Sequence, residues 1–461
     1  MQWTIKLEAK TEWGDAQTFE IGRLTRRVAG LAADEVGLTL DDAKAFLAEL
    51  QRRVVQTQVD ETVFAARVCS DCLNVRSVRN RRTRTLQTLF GTVRVAAPRI
   101  KLCSCVDKAP FHDVSFSPLS GLLPDRCTPE LRRLQAELGA RHSFREAARL
   151  LTALLPCSPP NHAGVRNRLH RVASELHAEE ARAVERTSRP PPNAETMSDP
   201  GVTVAIDGAH IRAAPGYQTR HLDVIVGKVE TDGCLPRRFA LAPSGTKRPL
   251  LPVRAALAAQ GWRPDVPVTV ISDGEAALPE LVRRATGSDV THILDWWHIS
   301  MRVRHAEQAL QGVHALEPVC HAGLDVVSNR LSRVRHLLWN GYHNKARGEL
   351  FGLQHLAGEA VHLNGEGLRA SVVRFLSRCG DLRGYLASNE AALIDYGSRH
   401  RAGPPVSTSR AEGCVDEIAN ARMAKRRRMR WSPRGAHRVA AVRAAALDGR
   451  LTPRRASSKA A

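Results

Sequence analysis

Aromatic residues are scarce in this chain of 461 residues, and no apolar run approaches the length of a membrane span. Phe, Trp and Tyr make up 5% of the sequence, so its cores must be built from Leu, Val, Ile and Ala. A transmembrane helix needs about 18 or more consecutive apolar residues, and no such run is present. The first residues, MQWTIKLEAKTEWGD, lack the apolar core of a secretory signal. We therefore expect a cytoplasmic protein that has no membrane partner.

Acidic residues are few compared with basic ones. The chain has 68 Lys and Arg against 47 Asp and Glu, a formal net charge of +21. Its hydrophobic (43%) and charged (25%) fractions are ordinary for globular proteins, which excludes wholesale disorder. The length fits roughly three domains. The excess of positive charge favours a polyanionic partner, and nucleic acid is the first candidate.

Two segments hold nearly all of the excess charge. Residues 76–101 contain eight Lys or Arg and no acid, and residues 421–461 contain thirteen Lys or Arg and one acid, Asp448. The rest of the chain is nearly neutral. This distribution predicts two separate contacts with a phosphate backbone. For the second segment alone, a solubilising tail is the alternative interpretation.

Four of the ten cysteines fall in two tight pairs, Cys69 with Cys72 and Cys103 with Cys105. Two thiolate pairs on two turns, with strands between them, predict a zinc ribbon with one tetrahedral site. The alternative is four unrelated buried thiols, and His112 is a further candidate ligand if one cysteine stays free. The other cysteines are scattered, which does not indicate a disulfide framework. They are Cys127, Cys157, Cys234, Cys320, Cys379 and Cys414.

The N-terminal region shows two periodicities. Residues 2–20 alternate apolar and polar side chains, which predicts the strands of a hairpin. Residues 40–55 have helical spacing, and Asp41 or Asp42 is expected to cap this helix.

Three helices are predicted within residues 129–175. Ser143 is expected to cap the second helix, with Glu146 completing a capping box, and Asn161 is expected to cap the third. The last two helices and the joint PCSPPN between them predict a helix-turn-helix. A plain helical bundle with a solvated basic face is the alternative. Arg and Asn side chains are the common readers of base edges. The candidates for DNA contact are Arg166, Asn167 and Arg168.

An α/β pattern begins after a linker at residues 187–201, where three prolines bar a helix. Short β-rich runs alternate with helical ones from residue 202 to about 300, and residues 300–400 are helical. Asp207, Asp273 and Asp295 come at or just after the ends of three predicted strands. Carboxylates at strand ends meet at one edge of an α/β sheet, where divalent cations relieve their repulsion.

Five motifs in order, AIDGAHIR, ISDGEAAL, ILDWWHISMRV, TSRAEGCVDEIANARM and MRWSPRGAHRVAAVRA, resemble DDE transposases of bacterial insertion sequences. The closest class is the ISKra type, with Mutator-like transposases as more distant relatives. The resemblance covers roughly residues 60–450. It implies a multidomain α/β plus α protein whose RNase H-like α/β catalytic core carries a helical insertion. A zinc ribbon-like module and a helix-turn-helix would precede that core.

The resemblance also implies the site residues. Asp207, Asp273 and Glu412 would be catalytic and would bind two Mg²⁺ or Mn²⁺ ions, while the cysteine site would hold structural zinc. Asp295 and His298 would support and position the site. Glu417 is the rival to Glu412, and in a regular helix it would point about 140° away from it. The charge distribution adds the basic run Arg426, Arg427 and Arg428 as candidates for contacts with DNA phosphates.

These expectations give a predicted order of domains along the chain. It consists of a hairpin and helix region (1–60), a zinc ribbon-like module (61–115), a helix-turn-helix region (125–186), the linker (187–201), the first part of the core (202–300), the helical insertion (301–405), the last part of the core with the Glu helix (406–447) and a basic tail (448–461).

The activity implied by the resemblance is that of a transposase. It would bind the terminal inverted repeats of an insertion sequence, cleave DNA and join the ends to target DNA, as a homodimer or higher oligomer associated with the bacterial nucleoid. One alternative is a domesticated, non-catalytic DNA-binding protein. Another is an RNase H-like nuclease or Holliday-junction enzyme that cleaves without strand joining.

Overall fold

The computed structural model describes most of the chain. The described residues are 1–11, 16–27, 29–30, 32–33, 36–103, 105, 114–122, 125–187, 201–314, 321–360, 366–408, 413–423 and 429–451. They form two compact units, one made of Met1–Val172 with Leu451–Ala461 and the other of Ala173–Arg450. The predicted linker lies almost wholly outside the described residues, and the boundary between the units falls within a helix just before it.

The first unit begins with an antiparallel hairpin of β1 (Gln2–Lys10) and β2 (Ala16–Thr25), as the alternation predicts. Helix α1 (Leu40–Arg67) follows. Its cap differs from the prediction, because Thr39 is the N-cap and Asp42 is the reciprocal partner in a capping box. Since α1 continues to Arg67, the expected boundary at residue 60 falls inside this helix.

The middle of the first unit contains five short strands. They are β3 (Val78–Asn80), β4 (Thr83–Thr88), β5 (Gly91–Ala96), β6 (Arg99–Lys101) and β7 (Ser115–Phe116). Strands β4 and β5 form a hairpin, and the other three form a sheet in the order β3-β6-β7. The buried face of the hairpin, with Leu86, Val93 and Val95, packs on Val55 and Val59 of α1.

Four helices follow the strands: α2 (Leu119–Leu122), α3 (Pro129–Arg141), α4 (Phe144–Leu154) and α5 (His162–Thr187). The three helices predicted in this region are confirmed. Ser143 caps α4 by accepting from the Glu146 N–H, but Glu146 pairs with Arg149 instead of closing the predicted box. The Asn161 side chain accepts from the Gly164 N–H at 2.6 Å, as a cap of α5 should.

The second unit contains a five-stranded mixed sheet. Its strands are β8 (Val202–Arg212), β9 (His221–Glu230), β10 (Arg237–Leu241), β11 (Val268–Ser272) and β12 (Thr291–Leu294). The order is β10-β9-β8-β11-β12. Strand β9 pairs antiparallel with both β8 and β10, whereas β11 pairs parallel with β8 and β12 pairs parallel with β11. The predicted α/β alternation is therefore confirmed.

Helices cover this sheet. α6 (Leu251–Ala259) connects β10 to β11, and α7 (Ala277–Thr286) connects β11 to β12. Both pack on the sheet through a core of Val, Leu, Ile and Ala side chains together with Phe239. This composition agrees with the low aromatic content of the sequence.

A helical region follows β12. It contains α8 (Trp296–His314), α9 (His321–Trp339), α10 (His343–Ala360), α11 (Glu366–Ser388) and α12 (Tyr396–Arg401). The predicted helical insertion is confirmed as helical, but α8 begins at Trp296, five residues before the expected boundary. Its buried side chains share one core with Ile293 and Leu294 of β12.

The chain then returns to the sheet. Residues 413–423 are helical, with a π-helix at Asp416–Asn420, and α13 (Pro433–Leu447) packs on β10 and β9. Helix α13 approaches the turn Pro243–Gly245 very closely, because a Cβ on Gly245 would lie 2.2 Å from the Pro433 carbonyl oxygen. Only glycine fits there, which fixes α13 against the edge of the sheet.

Candidate metal centres

Strand pairing brings Asp207 and Asp273 to the same edge of the sheet. The parallel pairing of β8 with β11 ends at Ala205 and Ile271, and Asp273 directly follows β11. Asp207 lies two residues beyond the last pair with β11, although β8 itself continues to Arg212. The expectation that Asp207 ends its strand is therefore wrong. Because β8 continues beyond the end of β11, Asp207 lies inside a strand and is still close to Asp273, the residue that follows β11.

One ligand atom from each of Asp207, Asp273 and His298 lies within 4.8 Å of the others, so these three side chains could hold a metal ion. Backbone N–H groups already bind one oxygen of each carboxylate. Gly208 donates to Asp207 Oδ1 at 2.7 Å, and Glu275 donates to Asp273 Oδ1 at 3.1 Å. These contacts orient the carboxylates and leave their other oxygens for a cation.

The electrostatics of the site also favour a cation. Burial raises the pKa of Asp207, and the negative charge of Asp273 raises it further. The Gly208 N–H and His298 act in the opposite direction. A divalent ion would offset both the desolvation and the repulsion.

Asp295 occupies a different position from the other two aspartates. Its carboxylate is completely buried and accepts from the Trp297 N–H at 2.9 Å, the Thr408 N–H at 3.0 Å and the Thr408 hydroxyl. His298 Nε2 lies 3.8 Å from Asp295 Oδ2. Asp295 is thus placed behind the cluster, which suits the supporting role implied for it. His298 instead joins the metal-capable group, where the resemblance implied only support.

Glu412 lies outside the described residues, but its rival Glu417 is described. The Glu417 carboxylate lies 3.8 Å from an Arg238 guanidinium nitrogen, and its backbone carbonyl accepts from Arg443. Glu417 is not in the group formed by Asp207, Asp273 and His298. It stands in the π-helix, so the angle of 140° expected for a regular helix does not apply to it.

Glu275 is a carboxylate that sequence reasoning missed. Its pKa is raised by burial and by the charges of Asp273 and Asp223. A Cβ on Gly208 would lie 3.7 Å from Glu275 Oε2, so this side chain reaches the residue next to Asp207. The signal was present in the sequence, since Glu275 stands two residues after Asp273 in ISDGEAAL.

The four paired cysteines form a second cluster, in the first unit. Their sulfur atoms all lie within 4.8 Å of one another, with 3.5 Å between Cys69 and Cys105 and 3.4 Å between Cys72 and Cys103. The predicted grouping is present, and the cluster could hold a zinc ion. His112 lies outside the described residues.

Backbone geometry prepares the first cysteine pair for a metal. Residues 69–74 form a tight turn in which Cys69 N–H donates to Asn74 O and Leu73 N–H donates to Cys69 O, both at 3.0 Å. Leu73 adopts a backbone φ of 60°, a left-handed value that residues other than glycine rarely take. This turn places Cys72 beside Cys69 at the cost of local strain.

N–H groups of the two turns stabilise thiolates. The N–H groups of Cys72 and Asp71 lower the pKa of Cys69 to about 6, and the Cys105 N–H lowers the pKa of Cys103. The three neighbouring thiols raise the pKa of Cys105. Four thiols this close cannot all ionise unless a cation offsets the repulsion between the thiolates. A zinc ion coordinated by all four cysteines would provide that positive charge.

The candidate DNA-reading residues of α5 separate into two groups. Arg166 and Asn167 are exposed. The Arg168 guanidinium is half-buried and donates to the Gln87 side chain of the β4–β5 hairpin. This side chain is therefore already engaged in a hydrogen bond within the first unit. Only the first two are free to meet a partner from solvent.

Three of the thirteen basic residues of the segment 421–461 are buried or paired within the second unit, which the charge count did not predict. Arg422 is fully buried with its guanidinium 5.0 Å from the Trp431 ring, and Arg443 is 8% exposed. Arg450 pairs with Glu180 at 3.2 Å. Arg426, Arg427 and Arg428 lie outside the described residues.

No protein-family model matches this sequence, and no curated protein does. Among the helices of the described ranges, none has the length and apolar character that crossing a bilayer requires.

Proposed function

We propose that the protein is a DDE transposase, an enzyme that cleaves DNA and transfers strands with metal ions held by carboxylates. The observation that carries this proposal is the convergence of Asp207, Asp273 and His298 at one edge of the five-stranded sheet.

The topology of the second unit supports an RNase H-like core. Three strands in antiparallel succession are followed by two strands that run parallel to the first, with one helix before each of the parallel strands. In such a sheet the first and fourth strands are neighbours. Asp207 lies within the first, two residues past its last pair with the fourth, and Asp273 directly follows the fourth. The helical region then separates β12 from the segment that would supply the third carboxylate.

The position of Thr408 supports Glu412 as that third carboxylate. Thr408 is anchored on the buried Asp295, whose neighbour His298 belongs to the metal-capable group. Glu412 is four residues further along, so an extended chain keeps it within about 14 Å of this anchor.

The residues present fit divalent ions. Asp207, Asp273 and Glu412 would hold two Mg²⁺ or Mn²⁺ ions, which supply activation of the attacking hydroxyl and stabilisation of the leaving oxygen of a phosphodiester. Asp295 and Thr408 hold the edge of the sheet and the returning chain together. Cys69, Cys72, Cys103 and Cys105 would hold structural zinc in the first unit.

The partner would be DNA, both the terminal repeats of the element and its target, bound by a homodimer or higher oligomer. The net charge of +21 and the exposed Arg166 and Asn167 support this part of the proposal. Arg426, Arg427 and Arg428 would add contacts to phosphates.

The decisive experiment uses a labelled duplex taken from the DNA that flanks the reading frame. We expect cleavage and strand transfer in Mg²⁺ to fall by roughly a thousandfold in Asp207→Asn, Asp273→Asn and Glu412→Gln, because about 4 kcal/mol of transition-state stabilisation is lost. Double variants should be scarcely worse than single ones, since these residues act as a unit. Binding of the duplex in Ca²⁺ should survive.

Matched variants decide between candidate carboxylates. Glu417→Gln should keep most activity, because its side chain faces Arg238. Glu275→Gln tests the carboxylate next to Asp207, and an inactive Glu275→Gln beside an active Glu412→Gln would move the third ligand to Glu275. Full activity in Asp207→Asn would reject the assignment of the carboxylates. DNA binding by the wild-type protein without any cleavage would leave a non-catalytic DNA-binding protein. Cleavage without joined products would indicate a nuclease.

A further inference from the structure

Arg302 stands close to the candidate metal centre. It lies on α8 four residues after His298, so both side chains project from the same face of that helix. His298 belongs to the group with Asp207 and Asp273, and Arg302 is half-buried one turn further along. This places a permanent positive charge within one helical turn of the metal-capable side chains.

The Tyr385 ring holds this guanidinium. Arg302 Cζ lies 4.0 Å from the centroid of the ring, a cation–π contact. The same ring packs on Gly274, the residue after Asp273, where an added Cβ would lie 2.9 Å from Tyr385 Cε2. Tyr385 is therefore wedged between Arg302 and the loop that carries Asp273, which fixes the distance between them.

The charge of Arg302 is not neutralised by an ion pair among the described residues. Arg304, two residues away on the same helix, pairs with Glu307 at 3.2 Å, whereas the Arg302 guanidinium contacts the face of the Tyr385 ring. Orienting a half-buried cation without a carboxylate is costly unless a ligand brings negative charge. A guanidinium has the fork geometry that binds two oxygens of one phosphate group.

We propose that Arg302 binds a phosphate group of the nucleic acid strand that reaches the metal centre, and that Tyr385 is the residue that positions it. This inference rests on the proposed function, because it takes the strand to be the substrate of that centre. Arg302 thereby sets which phosphate lies beside Asp207 and Asp273.

The first test measures binding of a fluorescent DNA duplex to the full chain in Ca²⁺, over a series of salt concentrations. Arg302→Gln should weaken binding about tenfold, as expected for a lost hydrogen-bonded charge, and lower the slope of log K against log salt by about 1. The matched control is Arg304→Gln, which removes the same charge from the opposite face of α8 and should change binding little. Equal effects of the two variants would overturn the proposal.

The second test locates the phosphate. Neutral methylphosphonates are placed one at a time along each strand of the duplex. In the wild-type protein one position should weaken binding about tenfold, and in Arg302→Gln the same position should have no further effect. Tyr385→Leu should reproduce the Arg302→Gln pattern, whereas Tyr385→Phe should not, since it keeps the ring.

The outcomes separate this inference from the proposed function. The binding tests need no cleavage, so they stand even if Asp207→Asn cleaves normally. A rise in Mn²⁺ affinity in Arg302→Gln with an unchanged methylphosphonate pattern would mean that Arg302 only balances the charge of the carboxylates, and would overturn the proposal. Circular dichroism of each variant confirms that a lost contact is not lost folding.

Discussion

Thr408 donates two hydrogen bonds to the buried carboxylate of Asp295, one from its N–H to Oδ1 at 3.0 Å and one from its hydroxyl to Oδ2. The two residues are far apart in the chain, with the whole helical region between them. Their contact ties the returning segment to the end of β12, next to His298. It is therefore one of the contacts that join the returning chain to the sheet.

The first prediction concerns this link. Thr408→Val keeps the shape of the side chain but leaves Asp295 Oδ2 without the hydroxyl, so we expect a loss of about 1–3 kcal/mol in the free energy of unfolding. Urea unfolding of the second unit, followed by tryptophan fluorescence, measures it. Thr408→Ser retains the hydroxyl and should lose much less. Equal losses in the two variants would show that the methyl group matters and the hydrogen bond does not.

The second prediction concerns zinc. Elemental analysis of purified protein should find one zinc per chain, because four clustered thiolates need a cation. Cys69→Ser combined with Cys103→Ser should lose the metal and lower the melting temperature of the first unit. Cys234→Ser is the control, because Cys234 is exposed and lies in the other unit. Protein without zinc, or zinc retained in the double variant, would contradict the assignment.

The third prediction separates surface arginines from structural ones. Arg166→Gln should weaken DNA binding and reduce its salt dependence, because Arg166 is exposed at the start of α5. Arg168→Gln should mainly lower the stability of the first unit, since it loses the bond to Gln87. Anisotropy and thermal unfolding of both variants provide the comparison. A binding defect confined to Arg168→Gln would mean that Arg168 leaves Gln87 to contact DNA.

The same binding assay tests the basic run formed by Arg426, Arg427 and Arg428. Neutralising all three should weaken binding to every DNA sequence about equally and flatten the salt dependence, as expected for phosphate contacts. A loss restricted to terminal-repeat DNA would show instead that these residues read bases.

Periodicity and motif spacing predicted much of the fold and of the site. The strands of the second unit, its helical region and the cysteine cluster followed from alternation, helical spacing and short-range pairs. Asp273 and Asp295 were correctly placed after strands, because the apolar run ends at each of them. Asp207 was not, since nothing local shows that β8 continues beside β9 after β11 has ended.

What sequence reasoning missed depends on long-range packing. The charge count could not show that Arg422 and Arg443 are buried, because their burial depends on where α13 docks against the sheet. Nor could it show that Tyr385, on α11, lies against Gly274. Glu275 was visible in the sequence, but only the short distance from β8 to the loop after β11 gives it a position near Asp207.

The last prediction concerns the pH dependence of stability, through two stacked histidines of the second unit. The rings of His177 and His437 lie 4.8 Å apart at an interplanar angle of 25°. Burial lowers the pKa of His437 from its ordinary value of 6.5 to about 3, and His177 and Arg438 add to the effect. Burial also lowers the pKa of His177, against the opposing charge of Glu180.

The His437 ring is therefore neutral in the folded protein down to about pH 3, whereas in the unfolded chain it takes up a proton below about pH 6.5. The lowered pKa of His177 acts in the same direction. The unfolded state binds more protons in this range, so the stabilisation is complete above pH 6.5 and is lost as the pH falls towards 3. His437 alone contributes up to about 1.4 kcal/mol per pH unit in this window. Urea unfolding of the second unit from pH 7 to pH 4 should show this slope, and His437→Gln should flatten it. His305→Gln, which alters an exposed histidine, should leave the slope unchanged; an equally steep slope in His437→Gln would assign the acid sensitivity to other groups.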